Sequence, residues 1–186
     1  MKPTLLMRAV KSFLMQSFRG VDESGRPPWA MWILLAGIAV GGSCIYGASL
    51  SLVLPQWQVA GGAGWLAVSA GLSWCIFIPL LVVIAKRRIV SCLHASLVTM
   101  AFGEIVLLAG SGANWLIATM QISADAVRAN FGIVAISNIV MATALAAQLR
   151  VARVPVWKTL LAWFVVLDGS GAIFFTLFRE TFQRVR

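Results

Sequence analysis

The sequence predicts an all-α, polytopic transmembrane bundle of about five spans, with an N-terminal amphipathic helix lying in the membrane interface. Three observations lead there. Trp29 to Leu54 runs for 26 residues without a charged side chain, and stretches of this kind recur about five times. Roughly 20 such residues suffice to cross the hydrocarbon core as a helix. None of the stretches alternates with period two, and in lipid only helices or closed barrels satisfy their own backbone polar groups. Composition agrees: 60% of the residues are hydrophobic and 11% charged, against about 45–50% and about 25% in soluble domains. With 186 residues in all, the spans leave no room for a soluble domain of useful size.

The chain divides into a cytoplasmic segment (1–28), a bundle (29–178) and a short basic tail (179–186). Within the first segment, residues 4–19 place Leu6, Val10, Phe13, Leu14 and Phe18 on one helical face. Arg8, Lys11, Gln16 and Arg19 fall on the other. A basic amphipathic helix of this type lies with its apolar side in the acyl chains and its cations among headgroup phosphates; the alternative is a docking helix for a partner protein. No small-residue cleavage site follows a compact apolar region, so this segment reads as retained rather than as a signal peptide. Val21–Pro28 then breaks the helix, because Pro27-Pro28 forces extended backbone.

Span one covers about Trp29–Leu54 and span two about Gly64–Ala85. Span three covers about Ile89–Leu108, or reaches Met120 if it is tilted or broken near Gly110-Ser111-Gly112. Spans four and five cover about Asn130–Leu149 and Thr159–Phe178. Eleven of the fifteen Lys and Arg residues then share one side, including Lys86, Arg87 and Arg88 between spans two and three, and Arg150, Arg153 and Lys158 between four and five. That excess puts the N-terminus in the cytoplasm of what reads as a bacterial inner membrane. Arg179, Arg184 and Arg186 run against the pattern, so a re-entrant or interfacial final segment stays open. Trp29, Trp32 and Trp157 at one interface, with Trp57, Trp65 and Trp115 at the other, form the expected aromatic belts.

Charge and polarity mark few sites. The formal charge of +9 is accounted for by anionic lipid rather than nucleic acid, since the cations flank spans. Arg8, Lys11, Arg19, Lys86, Arg87 and Arg88 are the expected headgroup-binding residues. Glu104 and Asp168 fall inside spans, where a charge costs about 2.5–3.5 kcal/mol on insertion scales. They read either as a proton, cation or ligand site or as carboxylic acids hydrogen-bonded to neighbouring helices. Asn114, Asn138, Gln148, Ser43 and Ser73 are further intramembrane polar residues suited to interhelical bonding. Gly37, Gly41, Ser43 and Gly47 are spaced for close helix packing, inside the bundle or between subunits. Cys44, Cys75 and Cys92 form no C-x-x-C pair and read as buried apolar side chains. His94, at a helix start beside the basic loop, reads as solvated or headgroup-facing. No catalytic constellation, metal-ligand spacing or phosphate loop is present, so no catalytic residue, cofactor or metal is expected.

The layout resembles the Yip-domain family of Ypt-interacting proteins and their bacterial relatives, in which a cytoplasmic segment precedes five closely spaced spans. The resemblance covers Trp29–Phe182 and is carried by Ser43-Cys44-Ile45-Tyr46-Gly47-Ala48, by Pro79 and by Leu177-Phe178-Arg179. It implies a membrane adaptor without catalytic residues. The residues and the resemblance together lead to a non-catalytic accessory or scaffolding subunit packed against a larger membrane complex, a photosynthetic or respiratory one being a candidate host. The rival expectation is a small transporter or channel using Glu104 and Asp168.

Overall fold

Each charge-free stretch becomes a helix. The computed structural model describes residues 29–53, 59–120 and 126–183. They form helices α1 (Trp29–Val53), α2 (Val59–Ala85), α3 (Ile89–Thr119), α4 (Ala126–Val151) and α5 (Val156–Gln183), with no strand among the described residues. Four stretches are long and apolar enough to cross a membrane: Trp29–Val53, Leu66–Ala85, Ile89–Thr119 and Arg128–Val151. The chain is therefore built as an integral membrane protein. In α5, Val156–Leu167 is an apolar stretch of helix among the residues whose side chains are described. The amphipathic segment with Arg8, Lys11 and Arg19 lies outside the described residues.

Several boundaries move. Helix α2 starts at Val59, five residues before the expected span, so part of the Gly-rich connection is helical. Helix α3 has 31 residues and passes through Gly110-Ser111-Gly112 without a break. At about 46 Å it exceeds the roughly 30 Å hydrocarbon core. Ser111 Oγ donates to the Leu108 carbonyl at 2.6 Å, so its hydroxyl is satisfied by its own helix and needs no break. Helix α5 extends to Gln183, beyond the expected Phe178.

Packing register follows from which residues meet. Trp32 stacks near His94, Ser43 meets Glu104, and Ser49 meets Asn114. Both numbers rise together, so α1 and α3 run parallel. Asn114 meets Asn130, Gly103 meets Ser137, and Thr99 meets Gln148, so α4 runs antiparallel to α3. Helix α1 packs against both α2 and α3, α4 covers another side of α3, and α5 packs chiefly on α2.

The interior is layered. Near the basic end, Phe77, Leu81, Cys92, Leu145, Leu149 and Trp163 form one apolar cluster. Leu35, Val98, Ala101 and Ala144 form a second, and Tyr46, Leu50 and Leu107 a third toward the other end. Outside, Ile33, Leu34, Val40, Val83, Ile105 and Ile139 are exposed, while Ser43, Thr99, Glu104, Asn114, Asn130 and Gln148 are buried. Apolar groups outward and polar groups inward is the distribution a hydrocarbon solvent favours, because interior polar groups can pair only with one another.

Some expectations change with burial. Trp29 and Trp157 are exposed at the basic end and Trp115 at the other, as an interfacial belt requires, but Trp32 is only partly exposed. His94 is buried, 2% exposed, rather than solvated, with Trp32 stacked near it at 6.4 Å between ring centroids. Helix α1, running parallel to α3, supplies that cover. No disulfide joins the three cysteines. Cys92 is buried as expected, but Cys75 is exposed on the outside of α2.

Candidate functional site

The α1–α3–α4 seam gathers the buried polar residues. On α1, Ser43, Tyr46 and Ser49 recur every three positions and so share one face. That face meets Glu104, Gly110 and Asn114 on α3, which in turn meets Asn130 and Ser137 on α4.

Toward the end opposite the basic turns, the hydrogen bonds close into a ring. The Tyr46 hydroxyl donates to Asn130 Oδ1 at 2.6 Å. Asn130 Nδ2 donates to Asn114 Oδ1 at 2.8 Å, and also to its own helix at the Ala126 carbonyl. Asn114 Nδ2 donates to Ser49 Oγ at 2.9 Å, and Ser49 Oγ donates to the Tyr46 carbonyl at 2.7 Å. Starting from Tyr46, the chain of bonds returns to Tyr46 and ties three helices together. Both amides are used at oxygen and nitrogen, which leaves no orphaned partner in the ring.

The mid-membrane site is different. Glu104 stands halfway along α3 and is 5% exposed. Ser43 Oγ donates to its Oε1 at 2.6 Å, while Oε2 is buried without a hydrogen-bond partner. The carboxyl group lies over Gly42: a Cβ there would come within 2.6 Å of Oε2 and 2.7 Å of the glutamate Cβ. One step along α3, a Cβ at Gly103 would collide with Met141, and Ser137 Oγ donates to the Gly103 carbonyl at 3.0 Å. Closer to the basic end, Gln148 Nε2 donates to Thr99 Oγ1 at 3.0 Å, but Gln148 Oε1 has no partner.

The glycine pattern is corrected by this geometry. A Cβ at Gly37 or Gly41 would meet nothing within 4 Å, so neither mediates close packing within the protomer. The close approach falls at Gly42, because α3 faces the side of α1 that carries Gly42, Ser43 and Tyr46. Gly47 is buried and Ser43 holds Glu104. Asn138 Nδ2 donates to the Val134 carbonyl of its own helix. Ser73 Oγ pairs with Ser170 Oγ at 2.5 Å, and Ser170 also bonds to the Val166 carbonyl, which joins α2 to α5. The side chain of Asp168 lies outside the described residues. Tyr46, Ser49, Asn130 and Ser137 are seam residues to which the sequence reading gave no polar role; the Tyr46-x-x-Ser49 spacing was the one signal, and it marked only α1.

At the basic end, Arg87 Nη2 donates to the Ala152 carbonyl at 3.0 Å, linking the α2–α3 turn to the α4–α5 turn. Lys86 and Arg88 are exposed beside it. Among the described residues no group of three or more His, Cys, Asp or Glu could hold a metal ion. No protein-family model, characterised protein or solved structure matches the chain. The site is therefore read from its own chemistry.

Proposed function

We propose that the chain is a non-catalytic membrane protein acting as an accessory or scaffolding subunit of a larger membrane complex, photosynthetic and respiratory complexes being candidate hosts. The observation that supports this reading is the closed ring of Tyr46, Asn130, Asn114 and Ser49. It spends its buried polar groups on joining helices and leaves none of them to face a substrate. The Yip-type layout, an adaptor architecture, favours the same role. In this reading the membrane is a bacterial inner membrane, α5 completes a fifth crossing, and the N-terminal segment and both basic turns face the cytoplasm. The partners are anionic lipids and other membrane subunits, not nucleic acid. Gly37 and Gly41, on open surface of α1, are available to a partner helix. Purification from native membranes tests the role. Stoichiometric recovery with a large complex supports it, and recovery only as a lone oligomer overturns it.

One observation favours a second reading, a small transporter or channel: Glu104 is a mid-membrane acid with an unpartnered oxygen. Ion flux in proteoliposomes separates the two. Flux in the parent that Glu104→Gln and Asp168→Asn both abolish, with folding intact, establishes transport. Absence of flux in the parent, with both variants still joining the complex, leaves the scaffold.

A further inference from the structure

The two basic turns share a feature that orientation in the membrane does not require. Lys86, just past α2, has φ 51°, and Arg153, just past α4, has φ 55°. This left-handed conformation brings the Cβ of an L-residue against its own carbonyl, and glycine is its usual occupant. At the end of α4 the motif is complete. The Val154 N–H donates to the Leu149 carbonyl at 3.0 Å and the Arg153 N–H to the Arg150 carbonyl at 3.2 Å, which places Arg153 where helices most often end in glycine. A cytoplasmic cation excess depends on the number of Lys and Arg near the spans, not on which backbone conformation holds them. A cation thus stands at the strained position in both turns, and the Arg87–Ala152 bond holds the turns together.

Their surroundings narrow the ligand. Residues 82–94 and 148–160 contain six Lys and Arg and no acid, so neither turn supplies its own counter-charge. Lys86, Arg88, Arg150, Arg153 and Lys158 are exposed, and Ile89 and Trp157 are exposed among them. Cations beside exposed apolar groups at the end of a bundle match a lipid, with phosphate above and acyl chain below. We propose that the two turns form one anionic-lipid site fitted to a headgroup with two phosphates. Lys86 and Arg88 face one phosphate, and Arg150, Arg153 and Lys158 face the other. This inference rests on the chain spanning a membrane and is independent of the accessory-subunit role.

The test uses the full chain in detergent, supplied with diphosphatidylglycerol or with phosphatidylglycerol at equal phosphate, and native mass spectrometry to count retained lipid. The parent should retain the two-phosphate lipid preferentially. Replacing Lys86→Gly and Arg153→Gly together should weaken that retention about thirtyfold. The thermal midpoint should not fall, because glycine suits the left-handed backbone. Lys86→Asn with Arg153→Asn, which also tolerates that backbone, should lose the lipid equally and decides the matter if the glycine pair misfolds. Equal retention of the two lipids, or unchanged retention in the variants, overturns the proposal. So does displacement of the lipid by soluble pyrophosphate at matched concentration, which would assign the site to a free anion.

Discussion

The Tyr46–Asn130–Asn114–Ser49 ring and the Ser43–Glu104 couple stand about one helical turn apart on the same face of α1, and they solve burial differently. The ring uses short, neutral groups, and both its amides are satisfied at oxygen and nitrogen. The couple places an acid at the midpoint of the longest helix with one serine donor and one unpartnered oxygen. Hydrocarbon supplies no water to make up a missing partner, so satisfaction has to come from the fold. The ring achieves it by recruiting a third helix. The couple instead achieves close contact, with Glu104 pressed onto Gly42 and little space left around its carboxyl group.

The couple is thus limited by volume and the ring by hydrogen bonding. The largest effect is expected from Gly42→Ala. Its new Cβ would lie 2.7 Å from the Glu104 Cβ, which is not a flexible tip, so helix α1 or α3 must move. Overpacking of this kind costs about 1–3 kcal/mol, read as a fall in unfolding free energy in mixed micelles. Unchanged stability would show that the Ser43–Glu104 contact is not limited by volume.

Asn130→Leu should come next. It removes three bonds and orphans the Tyr46 hydroxyl and Asn114 Oδ1. At roughly 0.6 kcal/mol for each interhelical bond, with the orphaned groups added, the loss should be about 2 kcal/mol. Combining it with Tyr46→Phe should cost less than the sum of the two singles, and additivity in that double-mutant cycle would show that the ring is not a unit.

Ser43→Ala removes the one hydrogen bond described for Glu104 and keeps the packing. A drop of about 0.6 kcal/mol is expected; a much larger one would show that the couple is held by hydrogen bonding after all. The smallest effect belongs to Gly41→Ala, one residue from Gly42 but facing open space. Monomer stability should change by less than about 0.5 kcal/mol. A loss of complex assembly with stability unchanged would place the partner helix on that face.

How far the site was legible depends on what each residue could announce by itself. Glu104, Asn114, Gln148 and Ser43 are visible because a polar or acidic group in an uncharged stretch is costly wherever it points. Asn130 lies at the edge of its span, where an amide is unremarkable until Tyr46 is seen to reach it. Gly37, Gly41 and Gly42 all fall within six residues, and their spacing cannot say which of them faces α3. His94 beside a basic loop reads as wet until α1 lays Trp32 over it.

The helices, and the length and apolarity that let four of them cross a membrane, were determined by the sequence alone. Long charge-free stretches have no other way to satisfy their backbone in lipid, and that constraint acts within each segment. The turns at Lys86–Arg88 and after Val151 followed from the cation runs in the same local way. The pairing of those helices was decided only by the tertiary structure. Which face of α1 turns toward α3, and the offset that brings Ser43 to Glu104 and Ser49 to Asn114, depend on volumes and bonds contributed by different helices at once. Apolar residues surround every span, so hydrophobicity cannot mark the inner face of a bundle whose solvent is as apolar as its core.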